Sequence, residues 1–141
     1  MKAEKRGYLA KFDNAVYWHD TLDNEDDVLA DLRTQVLHPC KQANIILGKY
    51  RMSELPQVLE EAFDILFFDW GGMSLGNSLM EHFCRHILKH AEDHPNRFYV
   101  MVSSFTSEAM NDAIKEMGDE KPFNVHLSVE SLKDWLIKME N

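Results

Sequence analysis

Short apolar runs alternate with longer amphipathic stretches along this chain. The clearest run is Ile65-Leu66-Phe67-Phe68, which stops at Asp69 and is followed by Trp70-Gly71-Gly72. So short and unbroken a run fits a strand buried on both faces of a parallel sheet. Residues 15–18, 44–47, 98–102 and 124–127 have the same character and predict four further strands. Gly48 is expected to close the run at 44–47. Asp13-Asn14 has the chemistry of a tight turn, so residues 8–12 are a candidate hairpin arm ahead of the first strand.

The stretches between these runs carry helical spacing. Val28, Leu29, Leu32 and Val36 fall on one face of a helix expected over 25–37. His38-Pro39 is expected to end it, because the residue before proline is pushed out of the helical region. A short helix over 53–61 turns Leu55, Val58, Leu59 and Ala62 inward, and a long one covers 75–91. Thr106 is placed to cap a helix reaching Met117, with Gly118 at the left-handed position beyond it. Ser128 caps the last helix, whose inward residues are Leu132, Trp135, Leu136 and Met139. Strands alternating with helices imply right-handed crossovers and a mainly parallel sheet. Five such units predict one doubly wound, flavodoxin-like α/β domain over residues 1–141, with strand order 2-1-3-4-5 and residues 1–6 flexible.

Charge narrows the function classes. A formal net charge of −9 disfavours direct nucleic-acid binding, which needs a basic face. No segment approaches the roughly 20 apolar residues that cross a bilayer, so no membrane role is expected. The amino terminus has charge without an apolar stretch behind it, unlike a secretory signal. Cys40 and Cys84 fit no metal or redox spacing, and two reduced thiols point to the cytoplasm.

In the predicted order the carboxyl ends of the first, third and fourth strands meet, and open α/β sheets bind ligands at such a point. Those ends carry His19 and Asp20, then Asp69, then Ser103 and Ser104. Asp20 and Asp69 supply oxygen ligands of the kind Mg²⁺ takes, so Mg²⁺ is the one cofactor the cluster suggests. A carboxylate beside such a cation can accept a phosphoryl group.

These residues resemble the receiver domains of bacterial response regulators. The strand ending in Asp69 with Gly71-Gly72-Met73 beyond it is similar to the phosphoacceptor strand and its loop. Ser103 stands where a receiver carries its switch hydroxyl, and Asp20 where it carries a first-strand acid. The resemblance implies Asp69 as phosphoacceptor and Ser103 as switch. The chain departs from the pattern in two places. His19 replaces one of two adjacent acids, and Lys121-Pro122 precedes the fifth strand, where receivers place lysine and proline after it. A degenerate receiver is therefore expected. It would be a non-enzymatic regulatory module that binds a protein partner through Asp69, Trp70, Gly71, Gly72, Ser103 and Ser104. A Mg²⁺-dependent aspartyl phosphoacceptor is the alternative.

Two further patterns carry chemistry. His82, His86, His90 and His94 recur on one helical face, a spacing at which a pair can chelate a transition metal. They run along the border between apolar and charged faces, where histidines are ordinary amphipathic residues. Asp20, Asp23, Glu25, Asp26, Asp27 and Asp31 form an acidic stretch. It suits either the first turn of a helix or the surface of an acidic inhibitor that binds a nucleic-acid-handling protein. The nucleophile elbow, paired zinc ligands and telling Cys-His spacings are lacking.

Overall fold

The structure, a computed structural model, describes residues 4–19, 33–69, 78–102 and 106–140. Its strands are β1 (Ala15–His19), β2 (Leu47–Arg51), β3 (Ile65–Asp69), β4 (Phe98–Met101) and β5 (Val125–His126). They form one five-stranded sheet in the order β2-β1-β3-β4-β5, and every pairing is parallel. The helices are α1 (His38–Gln42), α2 (Leu55–Glu60), α3 (Ser78–Asp93), α4 (Ser107–Glu116) and α5 (Val129–Glu140). The flavodoxin-like order expected from the sequence is the order observed.

Alternation along each strand divides the core in two. Val16, Trp18, Leu66, Phe68, Tyr99 and Met101 face a layer built with Leu55, Val58, Ile87, Leu88, Met110 and Ile114 of α2, α3 and α4. Tyr17, Ile65, Phe67 and Val100 face the other way, onto Cys40 of α1 and Leu132 and Leu136 of α5. Strands buried on both sides cannot show apolar–polar alternation, which is why the runs read as continuous. Met139, expected inward, is 57% exposed beyond the last contact of α5.

The amino-terminal region departs from expectation, and Pro39 explains how. Residues 8–12 form no strand; they turn, with Ala10 N–H donating to Gly7 O and Phe12 N–H to Leu9 O. Nor does the chain leave the helical region at His38-Pro39. A π-helical turn at Arg33–Leu37 runs directly into α1, with Pro39 in its first turn. A proline lacks the N–H that would bond the carbonyl four residues back, here that of Gln35. The Tyr8 hydroxyl donates to that carbonyl instead. The wider π turn relieves the ring's crowding of the preceding turn.

The second strand also starts later than expected. Asn44 has φ 57°, a left-handed conformation that no strand residue adopts. Its N–H bonds Lys41 O while Ile45 N–H bonds Cys40 O, a Schellman closure of α1. Ile46 is then 93% exposed, and pairing with β1 begins only at Leu47, with Gly48 inside the strand. At the end of α4 the expected closure is present. Gly118 has φ 80°, its N–H bonds Lys115 O, and Asp119 N–H bonds Ile114 O. Thr106 Oγ1 accepts from Ala109 N–H, and Ser128 Oγ from Ser131 N–H, the caps read from the sequence.

Candidate functional site

Register brings the strand ends together. His19 of β1 lies opposite Asp69 of β3, and Phe68 lies opposite Met101 of β4. Val102 N–H then donates to Phe68 O at 2.9 Å, carrying the β3–β4 pairing one step further. The backbone at 19, 69 and 102 thus emerges along one edge, from adjacent strands. Asp64 anchors the opposite end of β3, its Oδ2 accepting from Asp13 N–H at 2.8 Å and Asn14 N–H at 3.0 Å. These bonds hold β1 and β3 level from the amino edge, so their far ends finish level too.

The predicted site residues sit at or just past that edge. Asp69 is the last residue of β3. Asp20, Trp70, Gly71, Gly72, Ser103 and Ser104 lie outside the described residues, as does the acidic stretch from Asp20 to Asp31. Trp18 and Trp135 are placed. Trp18 is fully buried, edge-to-face with Phe83 at 5.2 Å. Trp135 is half-buried beside Phe123 and His126.

The carboxyl end of β5 borders the same edge. There the chain continues into Leu127, which is buried and whose carbonyl accepts from Ser107 Oγ at 3.1 Å. Ser128 follows and is used as the cap of α5. The Lys121-Pro122 pair lies at the other end of β5. Lys121 Nζ donates there to Val125 O at 2.9 Å and Pro122 O at 3.2 Å. It covers the carbonyl of an edge strand, a placement that discourages pairing with another chain. Burial lowers its pKa from the usual lysine value.

The histidine row separates into two pairs. His82 and His86 are exposed, with ring centroids 4.5 Å apart. His90 and His94 stack at 4.0 Å. His90 Nδ1 lies 2.6 Å from the Tyr99 hydroxyl, and its ring stacks on Phe63 at 5.8 Å. Burial, then the neighbouring His94 ring, pushes the His90 pKa down to about 4, so it is neutral near pH 7. Its role is to tie α3 to β4. Among the described residues no group of three or more His, Cys, Asp or Glu side chains is placed to hold a metal ion.

Sequence reasoning missed the polar residues of β5 and the loop before it. Asn124 is 1% exposed, and its Nδ2 donates to the carbonyls of Ala91, His94 and Arg97 at 2.9–3.1 Å. It clamps the end of α3 to the start of β4. His126, 3% exposed, sits in the strand itself. The signal was available: an asparagine and a histidine interrupt the apolar run at 123–127, and buried polar groups of that kind need partners.

No helix among the described residues is long and apolar enough to cross a membrane. The sequence matches no protein-family model and no curated protein. Solved structures do resemble the fold. A candidate lipoprotein fragment from Peptoclostridium difficile 630 superposes with a TM-score of 0.50 at 12% identity, over 91% of this chain and 95% of that one. A short-chain flavodoxin associated with a non-canonical PDU bacterial microcompartment gives a TM-score of 0.43 at 13% identity, over 92% of this chain and 99% of its own. The BeF3-activated receiver domain of DrrB gives 0.45 at 13% identity, over 89% and 93%. At such identities the resemblance is one of architecture: this chain is an α/β protein with a flavodoxin-like five-stranded parallel sheet.

Proposed function

We propose that this protein is a non-catalytic regulatory module that binds a protein partner at the carboxyl edge of its sheet, through Asp69, Trp70, Gly71, Gly72, Ser103 and Ser104. The observation that carries the reading is the shared edge of β1, β3 and β4, set by the His19–Asp69 and Phe68–Met101 registers. This is the place where open α/β sheets put their ligands. The end of β5 favours partner binding over phosphoryl transfer. A phosphorylated aspartate is stabilised by a neighbouring cation. In a receiver that cation is the lysine at the end of the fifth strand, and here Leu127 and Ser128 follow β5. A cytoplasmic location belongs to the same reading, supported by two free and buried cysteines, Cys40 and Cys84.

Site-specific photocrosslinking tests this. A crosslinking residue at Gly72 and another at Glu60, near the opposite edge, are introduced in the cells that express the protein. A discrete protein adduct from position 72, absent from position 60 and reduced by Trp70→Ala, is expected. Equal adducts from both positions, or none from 72, overturn the reading. So does stoichiometric phosphorylation of Asp69 by acetyl phosphate and Mg²⁺, seen as a phosphoryl mass increment lost in Asp69→Asn. That result would support the aspartyl phosphoacceptor instead.

A further inference from the structure

His82 and His86 serve neither the core nor the strand ends. They lie one turn apart on α3, whose inner face is fixed in the core by Cys84, Ile87, Leu88 and Ala91. Both rings are exposed, with centroids 4.5 Å apart, and neither forms a hydrogen bond or ion pair with the described residues. The two histidines that continue the row are different. His90 is half-buried and bonded to the Tyr99 hydroxyl, and His94 Nδ1 lies 2.8 Å from His90 O. The row thus holds one uncommitted pair, carried on a helix that cannot shift without disturbing the core.

The spacing of that pair suits a shared ion. An imidazole nitrogen binds a divalent transition metal at about 2.0–2.1 Å, which puts the ring centre roughly 3.2 Å from the ion. Two rings on one ion at a right angle then have centres about 4.5 Å apart, and at a tetrahedral angle about 5.2 Å. The 4.5 Å between His82 and His86 is the right-angle value. Nitrogen ligands at right angles are the preference of Cu²⁺ and Ni²⁺, and Cu²⁺ heads the divalent series in affinity. Exposed rings without hydrogen bonds to the described residues can turn their nitrogens onto a common ion at little cost.

The surrounding charges permit it. Arg85 is drawn away to Asp119 Oδ2 at 3.2 Å and Met117 O at 3.0 Å, and Lys89 to Asp93 at 3.7 Å. His82 stands beyond the first turn of α3, where the positive end of the helix has faded. The net charge of −9 attracts a cation from a distance.

We propose that His82 and His86 chelate one divalent transition-metal ion of tetragonal preference, Cu²⁺ or Ni²⁺. Each ring gives the lone pair of one nitrogen. Two protein ligands leave the other positions to water, so the bound ion stays open to a further donor.

Titration of Cu²⁺ into the full chain tests this. Electron paramagnetic resonance counts the imidazole nitrogens on the ion, and equilibrium dialysis gives the affinity. The first equivalent should carry two imidazoles. His82→Ala and His86→Ala should each leave one and weaken binding by about tenfold or more, because the helix presents the second ring at a millimolar or higher effective concentration. Both substitutions are at exposed positions and favour helix, and circular dichroism checks the fold. His38, exposed and without a histidine four residues away, is the control, and His38→Ala should bind as wild type does. Ni²⁺ should displace Cu²⁺ from the same pair only in excess. A first equivalent with a single imidazole, unchanged affinity in both single variants, or an equal loss in His38→Ala overturns the proposal.

Discussion

Replacing His126 with phenylalanine should change how this protein responds to acid. The ring is 3% exposed, stacks on Phe98 at 6.0 Å, and meets Trp135 at 5.8 Å. Its Nδ1 lies 3.1 Å from Ser131 Oγ, while the buried Nε2 has no partner. Protonation would place an N–H on Nε2 with no acceptor and a charge near Lys121. Burial first, and the Lys121 ammonium second, push the pKa from 6.5 down to about 4. The unfolded chain binds this proton below about pH 6.5, whereas the folded chain resists it until about pH 4. Stability from His126 is therefore fully present above 6.5 and is lost as pH falls toward 4. Integrating those two values between about pH 7 and about pH 4.5 gives a loss of roughly 2 kcal/mol. Phenylalanine keeps the ring stacking and removes the titration, at the cost of one hydrogen bond worth about 1 kcal/mol. Urea unfolding curves of both proteins across this pH range separate the contributions, because the acidic groups and His90 are common to both. The wild-type advantage should shrink and then reverse as pH falls. Parallel pH profiles for the two proteins would refute the assignment of a buried, proton-resisting imidazole.

Two further substitutions test how the strands are anchored and how a helix is closed. Asp64→Ala removes the acceptor of two backbone N–H groups at the start of β1 and should cost about 1–2 kcal/mol in urea unfolding, as a lost cap does. A change below about 0.5 kcal/mol would mean that the register of β1 and β3 is held elsewhere. Gly118→Ala meets no atom within 4 Å but forces an L-residue to φ 80°, so its cost is purely conformational, about 1 kcal/mol. A Tm at or above that of the wild type would show that the Schellman closure of α4 is not what holds Gly118 there.

Alternation of apolar runs with amphipathic stretches was enough to indicate the class and the order of the five paired strands, but not to exclude a further arm at residues 8–12. Each run at 65–68, 98–102 and 124–127 needs two covering layers, and only helices on both faces supply them. Caps at Thr106 and Ser128 and the glycine at 118 were legible because their chemistry is local. The start of the chain was not legible for the opposite reason. Whether Pro39 ends a helix depends on whether another group takes the carbonyl it leaves unbonded, and that group is Tyr8, 27 residues away in sequence. Asn44 and Ile46 looked like strand residues because a left-handed turn leaves no mark in a hydrophobic pattern. At the carboxyl edge, the sequence supplied the residue types and the tertiary structure supplied the register that sets Asp69 beside His19. At the amino edge, the Asn124 side chain draws the end of α3, the turn after it and the start of β4 onto the loop before β5. No spacing in one dimension encodes that meeting, since it exists only once the crossovers have wound those segments onto the same end of the sheet.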